Sequence, residues 1–433
     1  MTSTLTPDVR DPPWALGLVC RQWRSSALSL PHLWTTFDLD HLALRLDSYD
    51  DESEICASIS TQLERCQDQP IKVNMGYISK MGVAEKLLSV LGSKASSWSH
   101  VVLSLTEDIL DLLEPYTNMF TGLQNIHFIV DDHFPYDGLY IFRHAPALKS
   151  LSIVGRVDDC DCVTLSWKQL TRYTARDSKW SHLTNSFHFE MLPRLENLQI
   201  CCLECVALDE DESAPTSPIL LPALHTLTLV CAVPDREYHR EGPTQLLSHV
   251  TLPGLRTLRF QNGLYNIVSP LLRLVERSGC SLRDLGLCNL DSSGSDDDDA
   301  LLLMKSEAMK TVESLWIGWG NEDDELGWTG GYNSDLSRLL RALAVTKTSE
   351  GLLLSLRCLQ TNNWDLDSLV AAINSRRSII GGHAALDCLV LREHREWTLS
   401  EVQKRWADSK ERLRVLAEKG LRLEWRDPDF PEV

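Results

Sequence analysis

The chain has 433 residues, 43% of them hydrophobic and 24% charged, so it can bury a sizeable core, and disordered, collagen-like and mucin-like classes are excluded. Sixty-one acidic residues against 42 basic ones leave a formal net charge of −19, which repels phosphate backbones and anionic lipids and excludes nucleic acid and membrane as expected partners. With no apolar run of about 18 residues and no basic-then-apolar leader, the 13 cysteines are expected to be reduced thiols in the cytoplasm or nucleus.

In chain order, Asp11 before Pro12 and Pro13 predicts a helix start, an N-cap followed by residues that need no N–H in the first turn. Leu16, Val19, Cys20, Trp23, Ala27 and Leu30 then fall on one helix face. Periodicity alone reads this as a core helix or the N-terminal cap of a larger array. The residue types add more. LGLVCRQWRSSALSLPHLWTTFDLD, residues 16–40, resembles the second half of the F-box of many fungal proteins, with Val19, Cys20, Arg21, Trp23, Arg24, Pro31, Leu33 and Trp34 at the matching places. The resemblance implies docking on a Skp-family adaptor of a cullin–RING ubiquitin ligase through Val19, Cys20, Arg21, Trp23, Leu33 and Trp34. The family's Leu-Pro-x-Glu-Ile-Leu opening helix has no counterpart in MTSTLTPDVR. Two expectations therefore stay open: a start that falls inside the motif, or a loss of adaptor docking.

Beyond residue 40 one short pattern returns: LPRLENLQI at 192–200, LPALHTLTL at 221–229 and LPGLRTLRF at 252–260. Reduced to L-x-x-L-x-L, it recurs with leading residues Trp98, Leu123, Leu148, Leu170, Leu195, Leu224, Leu255, Leu282, Val312 and Leu386. A further unit is expected at Leu353, Leu356 and Cys358. The last two apolar positions alternate with a polar one, which is strand spacing. One such strand cannot cover its own apolar side, so stacked parallel units are predicted, with Leu198, Leu227 and Leu258 buried at one level and Thr226, Thr228 and Arg259 facing solvent. Between strands, Gln245 to Val250 and Leu271 to Arg277 are spaced for outer helices. The array resembles a leucine-rich-repeat solenoid, although the laddering Asn or Cys has candidates only at Cys231 and Asn289. A conventional parallel α/β domain is the alternative.

The acidic stretches 207–218, 291–299 and 321–335 read as surface loops, and the run Asp296 to Asp299 as solvated charge rather than a calcium site. Near the C-terminus, Thr398 and Glu401 form a capping box, Val402, Trp406, Leu413 and Leu416 a helical stripe ending at Gly420, and LRLEW at 421–425 a last strand. Nucleophile-elbow, phosphate-loop, HExxH and dinucleotide fingerprints do not occur. Cys202 and Cys205, with Cys160 and Cys162 upstream, read as ordinary thiols rather than zinc ligands, because 160 to 205 spans two strand units. Asp131, Asp132 and His133 read as a loop after a strand.

The resulting expectation is an α/β, leucine-rich-repeat-like solenoid at 41–397, preceded by a helical F-box-like segment at 1–40 and closed by a helix-strand cap at 398–433. It has no catalytic set and no cofactor. Its protein substrate is expected on the face that carries His127, Gln199, Arg259, Trp316 and Arg392, because Trp and Arg are enriched at interface hot spots. The alternative for Trp316 is packing under a neighbouring loop. The competing functional reading is a leucine-rich scaffold that recruits no ligase.

Overall fold

The recurring unit is a buried leading side chain followed, three and five residues later, by two more inward-facing side chains on a strand. The structure, a computed structural model, describes residues 14–39, 52–76, 78, 81–130, 140–155, 164–176, 185–205, 215, 217–231, 242–261, 263–264, 266–288, 290, 295–318, 337–345, 352–361, 366–378, 385–392 and 411–426. The chain divides into two units, residues 1–183 with 190–198 and residues 184–189 with 199–433. Each is an α/β stack of parallel strands that pair in chain order, the solenoid-like arrangement that the repeat predicts.

In the first unit, β1 (Thr36–Asp38), β2 (Ile71–Met75), β3 (Trp98–Leu105), β4 (Asn125–Val130), β5 (Ser150–Val154) and β6 (Arg172–Arg176) are parallel neighbours. Helices α1 (Leu16–Val19) and α2 (Arg21–Leu28) precede β1, α3 (Glu52–Cys66), α4 (Met81–Gly92) and α5 (Glu107–Leu113) separate the early strands, and 3-10 turns at Tyr140–Phe142 and Trp167–Gln169 serve later. Phe37, Val73, Val101, Ile126, Leu151 and Tyr173 lie at one level and are all buried, each covering the next. Behind this row the rings of Trp98, Phe120 and Phe142 follow one another at centroid separations of 5.4 and 5.0 Å.

The N-terminal segment is built into this unit. Trp34 stands three residues before Phe37, the place that Trp98 holds before Val101, and only 2% of it is exposed. Both indoles do the same work: Trp34 Nε1 donates to the Ala27 carbonyl at 2.8 Å and Trp98 Nε1 to the Leu91 carbonyl at 3.2 Å, each seven residues back near a helix end. Those carbonyls are among the acceptors that a helix C-terminus leaves unsatisfied. From α3, Gln62 Nε2 donates to the carbonyls of Trp34 and Thr36 at 3.1 and 2.8 Å, while the Arg65 guanidinium lies 4.3 Å from the Trp34 ring centroid. Trp14 meets the same ring edge-on at 5.1 Å.

The second unit contains β7 (Ile200–Cys205), β8 (Ile219–Leu220), β9 (Thr226–Cys231), β10 (Val250–Thr251), β11 (Thr257–Gln261), β12 (Asp284–Cys288), β13 (Ser314–Gly318), β14 (Cys358–Thr361), β15 (Cys388–Arg392) and β16 (Arg422–Arg426). All but β8 and β10 form one parallel succession; those two pair with each other at the approaches to β9 and β11. Outer helices are α7 (Gly242–His249), α8 (Val268–Ser278), α9 (Ser295–Lys305), α10 (Ser337–Leu343) and α11 (Leu366–Ser378), the first two where the leucine spacing places them. Neighbouring helices cap each other through a repeated device. Arg277 of α8 donates to the Leu247 carbonyl of α7 at 2.7 Å, and Ser278 Oγ accepts from Leu252 N at 2.9 Å. Arg376 of α11 donates to the Leu343 carbonyl of α10 at 3.0 Å, and Ser375 Oγ accepts from Val345 N at 3.0 Å. A cation at a helix C-terminus also complements the dipole.

Leu227 and Leu258 are buried register partners, as the repeat predicts, but their partner in β7 is Cys201 rather than Leu198. Leu198 leads its unit at the level of Leu224 and Leu255. The cause is a sequence that repeats every three residues, Leu192, Leu195, Leu198 and Cys201, so that two registers bury equally apolar sets. Two successive turns, Leu195 N to Leu192 O and Leu198 N to Leu195 O, take up the extra step. A carbonyl ladder fixes the result. Gln199 O accepts from His225 N and Thr226 N, His225 O from Arg256 N and Thr257 N, and Arg256 O from Arg283 N and Asp284 N. The same three-residue offset applies to the unit expected at Leu353, where Leu356 leads and Leu359 enters the core row. Thr228 is buried rather than solvent-facing, and Thr226 is half-buried.

The acidic run at 291–299, expected as a loop, is helical from Ser295 onward. It enters α9, whose Ala300, Leu303 and Met304 are buried, and acids in a first helical turn are favoured by its dipole. Asp298 pairs with Arg338 at 2.5 Å. At the C-terminal end, residues 411–418 are helical with Leu413 and Leu416 buried, Gly420 takes φ +89°, and β16 follows as expected. Thr398, Glu401, Val402 and Trp406 lie outside the described residues, as do Asp131, Asp132, His133, Cys160, Cys162 and Asn289.

If residues 14–39 are part of the first unit's core, Trp34→Ala should destabilise it by about 3–5 kcal/mol in urea denaturation, as large-to-small aromatic changes do. Trp34→Phe, which keeps a ring and loses the bond to Ala27, should cost far less.

Candidate functional site

Two surfaces qualify by chemistry: the exposed side of α1 and α2, and the strand faces turned away from the core. The helical pair is short and held by few bonds. Arg24 Nε donates to the Gly17 carbonyl at 2.8 Å, tying α2 back to α1, and Cys20 at the start of α2 takes Trp23 N on its sulfur at 3.5 Å. Ala27 and Trp34 hold the inner side. The outer side carries Leu18, Val19, Trp23, Leu28 and Leu30, with 64, 62, 53, 46 and 40% of each exposed. Most of the large exposed hydrophobics among the described residues lie in this segment, which makes it a candidate interaction surface. Of the residues predicted for adaptor docking, Val19, Cys20, Arg21 and Trp23 lie on this surface, Leu33 is half-buried, and Trp34 is core.

The five residues predicted for substrate divide between the two units, His127 in the first and the other four in the second. His127 lies on β4 of the first unit, where its Nδ1 is 2.8 Å from Ser152 Oγ of β5. Gln199 is exposed but precedes β7, on the carbonyl ladder, and Cys202 takes the strand position that corresponds to Arg259. Arg392 ends β15 two residues beyond Val390, which shares the level of Trp316 through Gln360. Only Arg259 and Trp316 meet. Their register partner in common is Gly286, and the missing side chain opens a gap through which the Arg259 guanidinium reaches to 5.4 Å from the Trp316 ring centroid. A Cβ at Gly286 would stand 2.9 Å from Arg259 Cγ. Trp316 is therefore covered, with 6% exposed, and the expectation of an outward-facing indole is corrected: it packs as core beneath a cation.

The titratable groups of the second unit are set for structure. His188, from α6 (Asn185–Met191), is fully buried and its Nε2 donates to the Glu204 carbonyl of β7 at 3.1 Å, while Nδ1 has no hydrogen-bond partner. Burial lowers its pKa to about 4, so the ring is neutral at pH 7. Cys358 and Cys388 are register partners in β14 and β15, and burial, with the neighbouring Cys388 and Glu424, pushes the Cys358 thiol up to about 12. Burial likewise raises Cys201. Protonated thiols are poor nucleophiles and poor metal ligands. Cys202 and Cys205 fall within β7, a strand, where a spacing of three is not that of one face.

Sequence reasoning missed the cations at the first outward level of the first unit, Lys72 and Arg172. The signal was present, since both stand one residue before their strand's member of the shared core row, Val73 and Tyr173, but it becomes visible only when the units are aligned in register. Among the described residues no helix is long and apolar enough to cross a membrane. Compared with protein-family models and with curated proteins, the sequence matches none.

Two measurements check this site. Trp316→Ala should lower stability by about 3–5 kcal/mol, and Arg259→Ala by less than about 1 kcal/mol, in chemical denaturation. Because His188 titrates near 4 when folded and near 6.5 when unfolded, the unfolded chain binds the extra proton in between. The stability it contributes is full above 6.5 and is lost as pH falls towards 4, by up to about 3 kcal/mol. His188→Gln, which keeps a donor for Glu204, should remove this component from the pH dependence of the urea midpoint.

Proposed function

We propose that the protein is the substrate-recognition subunit of a Skp-cullin-F-box type ubiquitin ligase, with α1 and α2 docking a Skp-family adaptor and the solenoid binding a protein substrate. The observation that carries this reading is the exposed apolar surface of Leu18, Val19, Trp23, Leu28 and Leu30, which coincides with the residues that resemble the F-box. Burying such a surface against an adaptor is worth roughly 25 cal/mol per Å² of apolar area, and an aromatic anchor ringed by aliphatic side chains is the composition of a hot spot. Trp34 then acts as a positioning residue, fixing the docking helices to the first strand of the array. In this reading the protein works without catalytic residues or a cofactor, in the cytoplasm or nucleus, where its thiols stay reduced.

A second reading has its own support. Trp34 repeats the role of Trp98, so residues 14–39 also serve as the first unit of the stack, and a cap of this kind is needed whether or not a ligase is recruited. The protein would then be a leucine-rich scaffold. Capture of purified Skp-family adaptor by the full chain separates the two. The ligase reading expects capture by wild type and its loss in Trp23→Ala with an unchanged melting midpoint, since changes at exposed positions usually stay within about 0.5 kcal/mol. Wild type that captures no adaptor leaves the scaffold.

A further inference from the structure

We propose that the outward face of the first unit's sheet is a docking surface for an acidic protein segment, one that carries Asp and Glu side chains about six residues apart on extended chain. The proposal rests on reading the solenoid as a receiver of protein partners and not on adaptor docking.

In a chain of net charge −19 this face carries the opposite sign. Its first level runs Thr36, Lys72, His100, Asn125, Ser150 and Arg172 across the six strands. Lys72 and Arg172 are exposed, and neither has an acidic partner among the described residues. Arg176 adds a third cation four residues beyond Arg172 on the same face. The one acid among the outward positions is Asp38 at the edge, and its Oδ1 accepts from Asn74 Nδ2 at 3.1 Å. Between the two cations the level is polar and uncharged. Ser99 Oγ donates to the Ile71 carbonyl at 2.9 Å and lies 3.1 Å from His100 Nδ1, and His100 Nε2 lies 2.8 Å from Asn125 Nδ2. With Asn125 as donor, this chain assigns the proton to Nδ1 and fixes a neutral ring, leaving amide and hydroxyl groups that suit a main chain.

The spacing selects the occupant. Lys72 and Arg172 are separated by four strand intervals, roughly 19 Å at 4.7–4.9 Å each, which about six residues of extended peptide span. Two well-separated cations fit discrete carboxylates better than a continuous phosphate backbone, and the remainder of the chain repels nucleic acid. A low-charge acidic segment is steered instead to this face, whose described outward positions carry Lys72, Arg172 and Arg176 against the single acid Asp38. The corresponding face of the second unit does not offer this. Its described charged side chains are Glu204, Arg259, Asp284, Arg422 and Glu424, with Arg422 bonded to Glu424 at 2.9 Å and Arg259 drawn over Trp316.

Fluorescence anisotropy on the full-length protein tests this, using a labelled extended peptide with Glu residues six apart, the same peptide with Gln in their place, and an oligonucleotide of equal charge. Wild type should bind the Glu peptide in a salt-sensitive manner and neither control. The double variant Lys72→Glu with Arg172→Glu should bind it at least about tenfold more weakly, with an unchanged melting midpoint. Arg273→Glu, an exposed position on α8, should leave the affinity as it is. Absence of Glu-peptide binding by wild type, preference for the oligonucleotide or the Gln peptide, or an equal loss in Arg273→Glu would overturn the proposal. Adaptor capture by the same double variant stays at the wild-type level in either case, so failure here is distinct from failure of the ligase reading.

Discussion

Each strand of this protein has an apolar side that only the next strand and helix can cover. Phe37, Val73, Val101, Ile126, Leu151 and Tyr173 are buried because they stand at one level, and a change at any of them exposes its neighbours. The carbonyl ladder that begins at Gln199 enforces that level in the second unit, each acceptor taking two N–H groups from the strand that follows. Everything else is arranged around this requirement. Outer helices fill the space between successive strands, and their ends are closed by neighbours, as Arg277 closes α7 and Arg376 closes α10. Arg376 is almost fully buried, and desolvation lowers its pKa to about 10, yet carbonyl oxygens satisfy its guanidinium. A buried cation so supplied with acceptors is tolerable where an unsatisfied one is not.

The same requirement explains why the N-terminal segment has two faces. An array must begin somewhere, and its first strand needs a cover. Trp34 supplies the leading side chain, α3 grips its carbonyl through Gln62, and α2 presents Ala27 inward. The helical pair also exposes Leu18, Val19, Trp23 and Leu28 among polar side chains, which a cap facing only water has no need of. Those exposed Leu, Val and Trp side chains are the physical basis of the proposal that the segment docks a partner.

A solenoid carries its partners on positions that alternate with the core, so the chemistry of its faces is set independently of its stability. In the second unit those positions have been partly returned to structure: Thr228 and Trp316 are buried, and Arg259 is folded across Gly286. In the first unit the first outward level, Thr36 to Arg172, is polar, with Lys72 and Arg172 four strands apart. The described parts of the two units thus share an architecture and differ in the chemistry of their outward positions.

Much of this was legible in the residues. The alternation in LHTLTL and LRTLRF requires strands, its recurrence requires a stack, and the stripe ending at Gly420 requires a closing helix, because these are local packing patterns that a period of two or 3.6 records. The resemblance of residues 16–40 to the F-box is a reading of a different kind, resting on residue types at fixed spacing. Register was not. Leu192, Leu195, Leu198 and Cys201 repeat every three residues, so the chain can slide by one step without exposing an apolar side chain, and only hydrogen bonds to a strand about 26 residues away choose between the alternatives. The burial of Trp34 and Trp316 followed from the same source. Whether an indole is core or surface depends on what lies opposite it, and what lies opposite is decided by pairing between residues far apart in the chain: a helix that reaches back in one case, and in the other a glycine that lets an arginine lie down.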